Sequence, residues 1–170
     1  MLPSMHELTG AEIRASFVNA TKGETTRLAL PPDLADLPWD DLDFLGWRDP
    51  ASPQRAFIVM TTAAGATGIA LRLAHSATGR RRRNMCAVCL TTHSGDGVSL
   101  MTARKAGRAG QQGNSVGTYL CSDLACSLYV RGLRSAGPGA RLQESLSLED
   151  QVERMLGRLE AFVAGVARSA

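Results

Sequence analysis

The chain has 170 residues, a net charge of +3, 44% hydrophobic residues and only 5% aromatic residues. This length argues for one domain, or one domain with an appended arm, whose core is mainly aliphatic. No run approaches the roughly 18 apolar residues of a membrane helix, and the first residues lack the pattern of a secretory signal. We therefore expect a cytoplasmic protein, in which clustered cysteines are metal ligands more often than disulfides.

The charges are unevenly divided along the chain. Residues 1–50 hold nine acidic and four basic side chains, whereas residues 72–134 hold ten basic and two acidic ones. The densest basic run is Arg80-Arg81-Arg82-Arg83. A solvated basic turn, contact with RNA phosphates and contact with an acidic protein surface all remain open interpretations of this run. The interleaved aromatic residues of a single-strand stacking platform are missing.

The first 50 residues predict a helix and a tryptophan-containing arm, both packed on the remaining domain. Thr9 and Glu12 have the spacing of a capping box, which favours a helix over residues 9–18, and we expect Gly23 to end the helical region. Both tryptophans and four aspartates fall in residues 37–50. This arm is either a short turn whose aromatic side chains hold it against the core, or a surface that binds a partner.

A small antiparallel sheet is predicted in the second domain, residues 51–170. Its strands are residues 55–61, 69–73 and 97–103, and a turn over residues 65–68 connects the first two. Residues 104–118 contain four glycines among basic and amide side chains, which is typical of a mobile surface loop.

Two further elements follow this loop. A short strand over residues 118–120 leads into a helix that starts near Leu124, and Ser147 caps a C-terminal helix. The apolar residues of the C-terminal helix recur at helical spacing, which is typical of core packing. They are Leu148, Val152, Met155, Leu159, Phe162, Val163 and Val166.

All four cysteines form two close pairs. Cys86 and Cys89 have the spacing of a zinc knuckle, and Cys121 and Cys126 have the spacing of a strand end followed by the first turn of a helix. Four thiolates complete a tetrahedral shell and leave no position for water, so the pattern predicts a structural Zn²⁺. The fold class predicted is α+β, a treble-clef zinc finger with a small antiparallel sheet, flanked by an N-terminal helix and a C-terminal helix.

Other chemistries are less well supported by the residues. His93 lies four residues after Cys89 and could replace one ligand, although Cys126 completes the set without it. A redox-active Cys-x-x-Cys motif is an alternative, but it favours a βαβ context that the run before Cys86 does not provide. No nucleophile, metalloprotease or other catalytic motif is present, so we expect a binding protein and not an enzyme.

Several segments together resemble one known family. They are FLGWRDP at 44–50, Cys86-x-x-Cys89, GNSVGTYLCSDLACS at 113–127 and YVRG at 129–132. These segments resemble the elongation factor G-binding family, whose better-known members confer fusidic acid resistance. The resemblance implies a treble-clef zinc domain that docks on elongation factor G and promotes its release from the ribosome. Family members with resistance activity also carry an N-terminal helical bundle, for which this chain is too short.

The resemblance also implies which residues take part. The zinc ligands carry over onto Cys86, Cys89, Cys121 and Cys126, and the partner surface carries over as a region comprising the knuckle tip and the 104–118 loop. Its candidate residues are Ala87, Val88, Arg104, Lys105, Arg108, Gln112, Ser115 and Tyr119. The alternative function is a ribosome- or RNA-binding zinc protein that acts through its basic surface and touches the factor only indirectly.

Overall fold

The computed structural model describes residues 4–74 and 83–168. The strands in these ranges are β1 (Leu45–Arg48), β2 (Arg55–Thr62), β3 (Gly65–Leu73), β4 (Asn84–Met85), β5 (Thr92–His93), β6 (Val98–Arg104) and β7 (Ser115–Cys121). The α-helices are α1 (Gly10–Ser16), α2 (Lys22–Thr26), α3 (Gly107–Gln111), α4 (Cys126–Val130) and α5 (Leu148–Ala167). None of these helices combines the length and apolar character that crossing a membrane requires.

A five-stranded antiparallel sheet organises the chain. Its strand order is β1-β2-β3-β6-β7, and β4 and β5 form a separate two-stranded ribbon. Successive side chains of a strand point to opposite faces, so each strand contributes to two different environments. Ile58 and Met60 lie in a core that also contains the cysteines and α5, whereas Phe57 and Val59 lie in a second core beneath the N-terminal segment.

The N-terminal segment begins as predicted but ends its first helix earlier. The capping box of Thr9 and Glu12 is present at the start of α1, which ends at Ser16. The prediction that Gly23 ends the helical region is wrong, because Gly23 lies inside α2. A second capping box, formed by Thr21 and Glu24, restarts the helix and satisfies the free N–H groups of its first turn.

Both tryptophans are core residues. Trp39 is 8% exposed and Trp47 is 7% exposed, and both belong to the core beneath the N-terminal segment. The indole N–H of Trp39 donates to the Leu34 carbonyl oxygen at 3.1 Å, and that of Trp47 donates to the Ala29 carbonyl oxygen at 2.9 Å. The structure therefore supports the interpretation that this arm is held against the core by its aromatic side chains.

Two predicted connections are strands or helices instead. The turn expected over residues 65–68 belongs to β3, because Thr62 pairs with Gly65 and the chain reverses at residues 63–64. The loop expected over residues 104–118 contains α3 and most of β7. Gly110 is required by close approach, because a Cβ there would overlap the Lys105 carbonyl oxygen.

The C-terminal helix packs on the face of the sheet that carries Ile58 and Met60. Ser147 accepts a hydrogen bond from the Asp150 backbone N–H and caps α5, as predicted. Helix α5 packs against α4, β3 and β7. The residues of α5 that are buried are Gln151, Val152, Met155, Leu159, Val163 and Val166.

Candidate metal centre

The first cysteine pair forms a tight turn between β4 and β5. The backbone N–H groups of Val88 and Cys89 lie 3.4 Å and 3.5 Å from Sγ of Cys86. The Leu90 N–H donates to the Cys86 carbonyl oxygen at 3.0 Å, and Leu90 has the left-handed φ of 61° that reverses the chain. This is the knuckle that the Cys-x-x-Cys spacing predicts, with N–H groups directed at a sulfur that carries negative charge as a thiolate.

The second cysteine pair spans the junction of a strand and a helix. Cys121 is the last residue of β7, and Cys126 is the first residue of α4. Between them, the Leu124 N–H donates to the Cys121 carbonyl oxygen at 2.8 Å, and Leu124 has a left-handed φ of 57°. This turn brings Cys126 back beside Cys121, as the four-residue spacing predicts.

The four sulfur atoms are arranged as ligands of one ion. All four lie within 4.8 Å of one another, with Cys86 and Cys126 3.8 Å apart and Cys89 and Cys121 3.4 Å apart. Four Zn–S bonds of about 2.3 Å in a tetrahedron place sulfur atoms about 3.8 Å apart. The four cysteines are free thiols and buried. The geometry and the donor set therefore fit a closed Zn(Cys)₄ site.

The electrostatics of the cluster favour a bound cation when the thiols are ionised. Hydrogen bonds with Cys121 and Cys126 lower the pKa of the Cys86 thiol, whereas the hydrogen bond with Cys121, followed by those with Cys86 and Cys89, raises the pKa of Cys126. Without a metal, the sulfurs therefore share protons, since four buried thiolates repel one another. A divalent ion removes that conflict and links β7, α4 and the knuckle. Its binding free energy is then part of the folding free energy.

One buried residue of the site has a role that the sequence did not reveal. His93 Nε2 lies 3.3 Å from Cys121 Sγ, and its ring meets the Tyr129 ring edge-on at 4.8 Å between centroids. His93 is not a member of the group whose ligand atoms all lie within 4.8 Å of one another. We infer that the His93 N–H supports the Cys121 thiolate from outside the metal shell. Its place in β5 opposite Asn84 could not be deduced from spacing.

Replacing His93 with phenylalanine tests this support. Phe keeps a ring against Tyr129 but removes the N–H donor to Cys121, so we expect zinc affinity to fall about 10- to 100-fold, as for other outer-shell partners. Competition with a chromophoric chelator measures the affinity. His6→Phe, at an exposed position, is the control. An unchanged affinity in His93→Phe would mean that the ring only fills space.

The candidate partner residues lie at two places in the structure. Ala87 and Val88 are in the knuckle between β4 and β5, and the others are on the β6–β7 hairpin and the segment that connects its strands. Val88 is 2% exposed and lies in the core, so it is not part of an accessible surface. Tyr119 is 53% exposed, although its carbonyl oxygen accepts the Ala87 N–H at 2.8 Å. The remaining candidates lie at or near the far end of the β6–β7 hairpin, on β6, α3 or β7 or on the segments that join them. They are Arg104, Lys105, Arg108, Gln112 and Ser115.

Three residues of the basic run, Arg80, Arg81 and Arg82, lie outside the part of the chain that the structure describes. Arg83 Nη2 lies 3.4 Å from the Pro138 carbonyl oxygen, so this side chain is directed toward the loop before α5.

The match to a known family covers most of the chain. A family model described as the FBP C-terminal treble-clef zinc finger matches residues 12–166. The chain belongs to this family. Together with the four buried sulfurs, membership confirms the predicted α+β treble-clef fold and the structural Zn²⁺.

A solved structure has a similar fold. The fusidic acid resistance protein FusC matches 96% of this treble-clef chain with a TM-score of 0.59 and 14% sequence identity. The treble-clef chain spans 60% of the FusC chain, so the likeness concerns the fold. A comparison with curated protein sequences gave no match.

Proposed function

We propose that this zinc-binding protein binds elongation factor G in the cytoplasm and promotes its release from the ribosome. The observation that carries the proposal is membership of the FBP zinc-finger family over residues 12–166. The fold shared with the fusidic acid resistance protein FusC also supports this proposal. We further propose a binding role without catalysis, since the closed four-sulfur shell leaves the metal no free coordination position.

We propose that the partner contacts the outer face of the β6–β7 hairpin, here called the hairpin face. Tyr119, Ser115 and Arg104 are all exposed. They share this face because Ser115 and Tyr119 are four residues apart on β7 and Ser115 pairs with Arg104. The opposite face carries Met101 and Leu120, which are fully buried. Tyrosine and arginine are enriched among the residues that dominate the energy of protein interfaces, and this face exposes one of each.

The contribution of Tyr119 can be measured directly. We expect zinc-loaded protein to retain purified elongation factor G, and Tyr119→Ala to weaken that affinity about tenfold or more, since truncating a central interface aromatic costs at least about 1.4 kcal/mol. Leu133→Ala is the matched control, because Leu133 is 59% exposed and Tyr119 is 53% exposed. Surface-immobilised protein titrated with the factor gives both affinities.

Two results would contradict the proposal at different points. Failure of folded, zinc-loaded protein to retain the factor at low salt would remove the binding function. If the Tyr119→Ala variant retains the factor as well as the wild type does, the contact does not lie on the hairpin face. Release is tested separately, by measuring how much factor cosediments with ribosomes as the protein is added. We expect that fraction to decrease with wild-type protein and to decrease less with Tyr119→Ala.

A further inference from the structure

A cavity of about 260 Å³ lies between the N-terminal segment and the sheet, away from the zinc site. Its floor is formed by the side of the sheet that faces away from the cysteines, where Arg55 pairs with Arg72 and Arg72 pairs with Thr102. Arg104 follows two residues after Thr102 and therefore lies on the same face. We call this cavity the arginine pocket after Arg55, Arg72 and Arg104, all three of which line it.

The pocket has more positive charge than the protein neutralises. Arg104 Nη2 lies 3.4 Å from the Glu24 carboxylate, which also caps α2, so this cation already has a partner. Arg55 approaches Asp49 only to 3.9 Å, and that carboxylate also accepts the backbone N–H groups of two turn residues. Within the described ranges, no carboxylate pairs with Arg72.

The register makes this arrangement costly without a ligand. Arg55 and Arg72 are directly opposite on neighbouring antiparallel strands, where like charges destabilise the pair. An anion placed between them would reverse the sign of that interaction. Guanidinium groups suit phosphate, because their planar N–H donors match its oxygen atoms in pairs. The hydroxyl-bearing Thr102 and Ser115 also line the pocket.

Apolar side chains form one part of the remaining wall, which also contains Asn19, Thr25 and the Glu24 carboxylate that pairs with Arg104. Phe17 and Phe57 meet edge-on at 5.9 Å between centroids, and Leu28 lies beside them. We propose that the arginine pocket binds a small organic phosphate, whose phosphate group lies between Arg55 and Arg72 and whose apolar group lies against Phe17. A pocket of about 260 Å³ accepts a monophosphate of modest size, whereas a peptide needs a longer groove. The pocket shares Arg104 and Ser115 with the hairpin face, so the test must distinguish ligand binding from binding of elongation factor G.

Phenyl phosphate combines the two required groups and serves as the probe. We expect calorimetry to give a Kd below about 1 mM, and we expect Arg72→Ala to raise it about tenfold or more through loss of a charge-assisted contact. Arg72 is exposed, so the variant should fold, which circular dichroism checks. Arg134→Ala is the control, because Arg134 is also an exposed arginine but does not line the pocket.

The arms of the experiment separate the two recognition elements. Inorganic phosphate should bind more weakly than phenyl phosphate, and phenol alone should not bind. Absence of phenyl phosphate binding to wild-type protein, or equal binding to Arg72→Ala, would overturn the proposal. If Arg72→Ala loses affinity for elongation factor G while wild-type protein ignores phenyl phosphate, the pocket serves the protein partner and the proposal of a small ligand is wrong.

Discussion

Replacing Cys121 with serine is expected to abolish stoichiometric zinc binding and to destabilise the protein more than any surface substitution. Cys121 is fully buried and ends the edge strand β7, where its sulfur lies 3.4 Å from that of Cys89. Structural zinc sites contribute about 10–16 kcal/mol of apparent binding free energy, and that energy is available only to the folded chain. Loss of one thiolate ligand therefore removes much of the stability of the domain.

The zinc dependence can be followed in two ways. Metal content per chain should fall from one zinc in the wild type to well below one in Cys121→Ser. A strong chelator should unfold the wild-type protein at a temperature where the zinc-loaded form is stable, as judged by circular dichroism. Tyr119→Ala changes an exposed residue of the same strand and should retain one zinc. A metal-free protein with an unchanged unfolding midpoint would contradict a structural role for the metal.

The same cysteines show what local sequence can determine. The positions of Cys121 at a strand end and Cys126 in the first helical turn follow from spacing alone, because only four residues are available to make the turn between them. The capping box of Thr9 and Glu12 and the stripe of α5 are also local signals, since helix caps and helical periodicity involve residues only three or four positions apart. These features could therefore be predicted without knowledge of the fold.

Features set by contacts between distant segments could not be predicted in this way. The arm predicted over residues 1–50 supplies the edge strand β1, in which Trp47 pairs with Phe57. The glycine-rich run after β6 forms α3, whose start is tied to α5 by a hydrogen bond from the Ala106 N–H to the Val166 carbonyl oxygen. His93 reaches Cys121 across 28 residues. In each case the deciding contact lies outside the window that periodicity or propensity can describe.

The Asp43–Arg131 ion pair belongs to the same class of long-range contacts, and we expect its disruption to have the second large effect. Arg131 Nη2 donates to Asp43 Oδ1 at 2.8 Å, and their side chains are 6% and 0% exposed. The Asp43 backbone N–H also donates to Ser127 Oγ at 3.0 Å, so this pair joins the arm to α4. Replacing Arg131 with methionine leaves a buried carboxylate without its cation, which costs about 3–5 kcal/mol.

The cost of Arg131→Met should depend on pH. Burial raises the pKa of Asp43 from 3.8 to about 6, against the opposing effect of Arg131. A carboxyl group whose pKa is raised on folding stabilises the folded state fully at pH values below its pKa in the unfolded chain. This stabilisation is lost as the pH rises through its pKa in the folded state. Removing Arg131 raises the pKa of Asp43 further. The destabilisation relative to wild type should therefore be smaller near pH 6, where Asp43 is protonated in the variant, than near pH 8.

Urea denaturation at both pH values, with zinc in excess and metal content verified, measures this difference. Asp43→Asn combined with Arg131→Met removes both charges and should be less destabilised near pH 8 than Arg131→Met alone, because no ionised group is then buried. Arg134→Ala, which breaks an ion pair at the surface, should cost no more than about 1 kcal/mol. An equal cost of Arg131→Met at both pH values would show that the lost packing of the guanidinium, and not the charge left on Asp43, determines the stability of this junction.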